Sequence, residues 1–213
     1  MRAALRRYRR LLLGLVSRAA YESETRALVH DFLGEALGFR DEALDPSPKT
    51  SAKNADYGLR VDSELVALVE IKRVATRLDT PLPHVLGRAA DAPPWLVLTN
   101  AVEWRLYHLD TASGTPASPT PIIDVDLLGP LALAEKAAVL VHLTRESFER
   151  REIDSLLVAR DALSPDSLSA AVTSVGVLRA IQRELGRKTG QSIDTKAIAQ
   201  AVRDILPPPK GQP

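Results

Sequence analysis

The spacing of apolar positions changes along the chain, and each change marks an element. Over residues 2 to 19, Leu5, Tyr8, Leu12, Leu15 and Val16 recur at helical intervals and predict an amphipathic helix. A second helix follows, with Ser23 as its N-cap, Leu28, Phe32, Ala36 and Leu37 on its apolar side, and Gly38 as its stop. Residues 45 to 54 are polar, with two prolines, and read as a surface loop or short strand. From Tyr57 the period drops to two: residues 57 to 61 and 65 to 71 are rich in β-branched and apolar side chains, with the polar triplet Asp62-Ser63-Glu64 between them. This is the pattern of a β-hairpin.

Residues 78 to 90 read as a helix, with Asp79 as cap, Pro81 and Pro83 near its start, Val85, Leu86 and Ala89 as its apolar side, and Pro93-Pro94 beyond its end. Residues 95 to 99 are an apolar strand, and residues 103 to 109 alternate and pair back on it through Asn100-Ala101-Val102. After a Pro, Ser, Thr and Gly loop, residues 122 to 127 form one more edge strand. From Leu131 onward strand signals stop, and residues 131 to 143, 147 to 159, 165 to 185 and 195 to 206 read as helices. The class is α/β. A strand, helix and strand in sequence imply a crossover and a mixed sheet, here followed by a helical C-terminal region. The chain divides into a basic helix over 1 to 19, a core over 20 to 128 and a helical appendage over 129 to 213.

With a three-residue loop, Val61 faces Leu65, Leu59 faces Ala67, Tyr57 faces Val69, and Asp56 comes opposite Glu70. Alternation then puts Tyr57, Leu59, Val61, Leu65, Ala67, Val69 and Ile71 on one wholly apolar face. The other face carries Asp56, Gly58, Arg60, Val66, Leu68, Glu70 and Lys72. Two carboxylates therefore meet across the strands, with an ammonium group two residues along. A desolvated carboxylate is costly unless it is paired or coordinates a metal. Asp56 and Glu70 offer the oxygen ligands that Mg²⁺ or Mn²⁺ prefers. Lys72 beside them is suited to stabilising developing negative charge, or to orienting and deprotonating an attacking water whose pKa the metal lowers.

Asp56, thirteen intervening residues and then Glu70-Ile71-Lys72 at the end of an apolar strand resemble the PD-(D/E)XK nuclease motif. Ala55-Asp56-Tyr57, Glu70-Ile71-Lys72 and the run from Leu98-Thr99-Asn100 to Tyr107 resemble, more narrowly, the N-terminal nuclease domain of type I restriction enzyme R subunits. Tyr21-Glu22-Ser23-Glu24-Thr25-Arg26, followed by Leu37-Gly38-Phe39, resembles the first helix of that domain. The resemblance spans roughly residues 20 to 128. It implies a restriction-endonuclease-like α-β-β-β-α-β core in which Asp56 and Glu70 bind the metal, Lys72 assists hydrolysis, and Glu22 adds a carboxylate. An ordinary helix-start carboxylate is the competing reading of Glu22. Many members carry a Gln and, four residues on, a Tyr in the helix after the Lys strand; His84 and Arg88 stand there in this chain, and Asn100-Ala101 replaces the usual Asn-Gly. His84, Arg88 and Arg60 are the substrate-side candidates.

Composition narrows the field. The absence of cysteine excludes disulfides and thiolate zinc sites and is compatible with a cytoplasmic location. Net charge is only +1, yet Arg2, Arg6, Arg7, Arg9, Arg10 and Arg18 fall in the first twenty residues without an acid. Such a helix either packs on the domain or a second subunit, or lays its arginines on phosphates, and the packing reading is the simpler. The apolar run 11 to 16 is shorter than a secretory signal requires, and nothing approaches the ~18 apolar residues of a membrane span. There is no Gly-x-Ser-x-Gly or His-Glu-x-x-His, residues 186 to 192 lack the Gly-Lys-Ser/Thr of a phosphate-binding loop, and His30, His84, His108 and His142 lack metal-ligand spacing.

These features converge on a Mg²⁺- or Mn²⁺-dependent endonuclease acting on DNA, in restriction or defence, without a membrane. Its cutting is either independent of ATP or coupled to a separate motor or specificity subunit; a homodimer is the other assembly expected. The rival reading is an inactive nuclease-fold module that binds nucleic acid or assembles with a protein partner. The helical tail packs on the core, dimerises or docks a partner.

Overall fold

A computed structural model describes residues 1–46, 48, 55–78, 93–109 and 119–205. Its elements are α1 (Arg2–Ser17), α2 (Glu22–Glu35), β1 (Leu44–Asp45), β2 (Tyr57–Val61), β3 (Glu64–Ile71), β4 (Trp95–Thr99), β5 (Glu103–His108), β6 (Thr120–Asp126), α3 (Leu133–Leu140), α4 (Arg145–Glu149), α5 (Glu152–Ala162), α6 (Pro165–Val172), α7 (Val175–Thr189) and α8 (Thr195–Ile205). The six strands make one sheet in the order β1-β2-β3-β4-β5-β6. Neighbours are antiparallel except β3 and β4, which run parallel, so the sheet is mixed as expected. The helix predicted over residues 78 to 90 lies outside the described residues, apart from Leu78.

The hairpin differs from the sequence reading at its tip. Asp62 and Ser63 alone form the turn, both with positive φ (48° and 70°), so Val61 pairs with Glu64 and Arg60 with Leu65. Such primed two-residue turns match the twist of the flanking strands. A bulge then shifts the register between Leu59 and Arg60, which restores the expected pairs Leu59 with Ala67 and Tyr57 with Val69. Leu65 consequently changes face. It lies over Gly58, where a Cβ would sit 2.5 Å from the Leu65 Cδ1, and joins Leu68, Leu96 and Leu109 rather than the Tyr57 side.

Residues Met1–Leu156 form one compact unit and Leu157–Pro213 a second. The first therefore includes α1 and residues 129 to 156, which the sequence reading set apart from the core. Leu5, Tyr8 and Leu12 of α1 are buried, and an aromatic chain runs from Tyr8 to Phe32 (centroids 4.1 Å apart) and on to Trp104 of β5 (5.0 Å). Leu59, Ala67, Val69, Val97 and Leu106 are buried strand residues of the same core. α2 starts earlier than expected: Tyr21, not Ser23, is its N-cap, and the Tyr21 amide donates to the Glu24 carboxylate at 3.2 Å. Of the two edge strands among the described residues, β1 is two residues long and β6 carries Pro121 beside a second bulge.

The helix expected over 147 to 159 is two helices, broken where Arg151 takes a positive φ (54°). The second unit has a break without a positive φ: residues 165 to 185 divide into α6 and α7 at Thr173-Ser174, with Ser174, in extended backbone, at the N-cap position of the new helix. There, Leu178, Ile198 and Ala199 form a small core with Ile181, Leu185, Ile193 and Val202 packed on it. No helix among the described residues is long and apolar enough to cross a membrane.

Candidate functional site

The site is assembled where β2 begins and β3 ends. Asp56 immediately precedes β2, and its backbone amide donates to the Val69 carbonyl at 2.8 Å. One carboxylate oxygen, Oδ2, accepts the Ile71 amide at 2.7 Å, while Oδ1 contacts the Arg26 guanidinium. Beyond the Tyr57–Val69 pair the ladder gives way to the bonds from the Asp56 and Ile71 amides, which hold Asp56 against the end of β3 where Glu70 stands. Glu70, in the last turn of pleat on β3, has a side chain only 5 % exposed whose Oε1 contacts Lys72 Nζ. The Lys72 amide donates to the Thr99 carbonyl of β4 at 2.8 Å, which holds the residue at the edge of the parallel pair while its side chain remains partly open.

The start of α2 is fastened beside this cluster by the turn after β3. Thr25 is fully buried; its hydroxyl donates to the Tyr21 carbonyl at 3.1 Å and accepts the Val74 amide at 3.1 Å. Arg73 donates to the carbonyls of Ala20 (3.1 Å) and Ala19 (2.5 Å) and lies 5.7 Å from the Tyr21 ring centroid. Glu22 is thereby brought to the same region, although its half-exposed carboxylate pairs with Arg26 at 3.4 Å one turn along the helix. Arg26 thus bridges Glu22 and Asp56.

Burial pushes the Asp56 carboxyl above its ordinary value. The Ile71 amide and the Arg26 and Lys72 charges pull the other way, and the Glu22 charge adds to the rise. Tyr57, next in the chain, is raised by burial as well. The donor set of Asp56 and Glu70 suits a hard divalent cation, which commonly takes one or two carboxylates and completes its shell with water and phosphate. Among the described residues, no three His, Cys, Asp or Glu side chains group closely enough to hold a metal. Arg26 pairs with Asp56 and Lys72 with Glu70.

Arg60 is not part of this cluster. It stands four residues further along β2, about 13 Å at strand rise, and pairs with Asp45 at 2.8 Å while donating to the Ser63 carbonyl at 2.8 Å. That arrangement braces the turn. His84 and Arg88 lie outside the described residues. Arg26 is the residue that pattern reading left out of the site. Its helical spacing from Glu22 is a local signal, but its link to Asp56 spans thirty positions and appears only in the folded chain.

The turn between β4 and β5 supports the same end of the sheet. Asn100 Oδ1 accepts the amides of Val102 (3.0 Å) and Glu103 (2.7 Å), its Nδ2 donates to the Thr76 carbonyl at 2.8 Å, and Ala101 holds a φ of 73°. Left-handed backbone favours glycine, so Ala101 holds this turn at some conformational cost. Comparison with family models, with curated proteins and with solved structures finds no match to this chain.

Proposed function

We propose that the chain is a metal-dependent nuclease that hydrolyses phosphodiester bonds in DNA, in restriction or defence, on a PD-(D/E)XK-like core. The observation that carries this reading is the meeting of Asp56, Glu70 and Lys72 at one end of the hairpin, beside the first turn of α2. The order of the described elements is compatible with it: α2, β1, β2, β3 and β4 follow in sequence, and the residues read from the sequence as the crossover helix before β4 lie outside the described ones. The parallel β3–β4 pair is the geometry such a crossover needs.

Asp56 and Glu70 hold Mg²⁺ or Mn²⁺, which when bound lowers the pKa of a water and neutralises charge on the phosphate. Ile71 fixes one Asp56 oxygen, so the carboxylate presents a defined face to its ligand. Lys72, anchored through its amide to β4, holds its ammonium where charge develops on the phosphoryl oxygens. Glu22 is a further carboxylate at the rim. DNA is the partner, with a second copy or a separate motor or specificity subunit as the assembly.

A second reading, an inactive module of the same fold that binds nucleic acid or a protein partner, draws support from the two ion pairs, because Arg26 and Lys72 already balance Asp56 and Glu70. Cleavage of supercoiled plasmid and single-stranded DNA, by wild type and Lys72→Ala with Mg²⁺, Mn²⁺ or chelator, separates the two. Metal-dependent cutting lost in Lys72→Ala supports the nuclease. Tight binding that persists in chelator, without cutting by either protein, supports the module.

A further inference from the structure

Arg26 joins the one carboxylate oxygen of Asp56 that the backbone does not use to the Glu22 carboxylate one helical turn back. Its own side chain is 45 % exposed while that of Asp56 is 10 % exposed, so the guanidinium is the more accessible member of the pair. A cation that takes Asp56 Oδ1 has to displace this contact. We infer that Arg26 and a divalent cation compete for Asp56, and that the displaced guanidinium, retained beside the site by Glu22, takes the phosphate of a bound nucleic acid, so that metal and nucleic acid bind cooperatively. This rests on the nuclease reading of the site.

The chemistry favours the exchange. A guanidinium is always charged and forms forked hydrogen bonds equally well with carboxylate and phosphate. Losing Asp56 to a cation costs Arg26 one partner; a phosphodiester supplies a replacement anion of the same charge with acceptor oxygens that a guanidinium also binds. Because Glu22 lies at i, i+4 to Arg26 on α2, the side chain keeps a second anchor and swings rather than leaving. Each ligand then removes an obstacle to the other, and by linkage each tightens the other by the same factor.

The test measures binding, not only cutting. Mn²⁺ affinity is determined by electron paramagnetic resonance on the full chain, for wild type, Arg26→Gln and Glu70→Gln, with and without a phosphorothioate-protected duplex. Arg26→Gln is expected to bind Mn²⁺ alone about three- to tenfold more tightly than wild type, since a partly buried competitor of this kind is worth about a factor of that size. The duplex is expected to tighten Mn²⁺ binding by a larger factor in wild type than in Arg26→Gln, while duplex affinity in Mn²⁺ falls in the variant. Arg26→Lys, which keeps charge but not the fork, is expected to hold Mn²⁺ affinity near wild type and still lose part of the coupling. Equal Mn²⁺ affinity in wild type and Arg26→Gln, or an unchanged coupling factor, overturns the inference and leaves the nuclease reading standing. Wild type without Mn²⁺ binding that Glu70→Gln abolishes overturns both.

Discussion

The amide of Ile71 donates to the Asp56 carboxylate at 2.7 Å, so the end of β3 holds the side chain that begins β2. The bond turns a cross-strand neighbour into a fixed acceptor. It leaves Oδ1 as the oxygen facing Arg26, and it makes the state of Asp56 a property of the hairpin.

Acidity should expose the cost of that arrangement. Burial raises the Asp56 carboxyl against the opposing hydrogen bond and charges. A carboxyl raised on folding binds its proton more tightly in the native state, so its contribution to stability is fully present below the unfolded value, about 3.9, and is lost as pH rises through the folded value. Asp56→Asn, which does not ionise, is therefore expected to be more stable than wild type at neutral pH, with the margin shrinking as the pH falls through the mildly acidic range. Urea melts of both proteins across that range measure it; a margin that widens on acidification would mean that the Arg26 pair outweighs burial.

Glu70→Gln keeps the shape of the buried side chain and removes its charge. If Glu70 is a ligand, plasmid cleavage in Mg²⁺ falls by at least about a hundredfold, the upper end of what loss of a supporting group costs a metal site, while the far-ultraviolet circular dichroism is unchanged. Cleavage within a factor of a few of wild type would remove Glu70 from the mechanism.

Thr25→Val tests how the helix is seated. The substitution leaves the buried Val74 amide without its acceptor and is expected to cost about 1–3 kcal/mol in urea unfolding. Because the same bond fastens the start of α2 beside Asp56, cleavage measured well below the melting temperature should fall too. Intact cleavage with reduced stability would assign Thr25 to the fold alone.

Ser63→Gly should act in the opposite direction. Ser63 sits in the left-handed region with φ of 70°, in an exposed turn, and glycine takes that conformation without the Cβ conflict. A gain of about 0.5–1 kcal/mol is expected, with the Arg60 bond to the backbone carbonyl retained. A loss on substitution would show that the serine side chain contributes more than the turn geometry does.

Alternation alone was enough to pair Leu59 with Ala67 and Tyr57 with Val69, because a two-residue period leaves little freedom once one face is buried. The same reasoning misplaced Leu65. A two-residue turn followed by a bulge has the same net offset as a three-residue loop, so the far pairs agree while the near ones do not. Helix boundaries failed for local reasons: Glu24 reaches back to the Tyr21 amide and starts α2 early, and Ser174 restarts a helix where apolar spacing runs on without interruption. The placement of Asp56, Glu70 and Lys72 at one end of the hairpin was legible because strand register is a short-range rule. Arg26 was not, since its partner is brought to it by the packing of α2 on the sheet rather than by spacing along the chain.

The short β1 and the proline in β6 also govern how copies of this chain can associate. A strand joining the sheet from outside needs a row of backbone donors and acceptors; β1 offers only two residues of it, and β6 offers seven with one N–H missing at Pro121 beside a bulge. Among the described residues, the β1 margin therefore offers no seam for a continuous intermolecular sheet, and at the β6 margin the seam is interrupted at its start by Pro121.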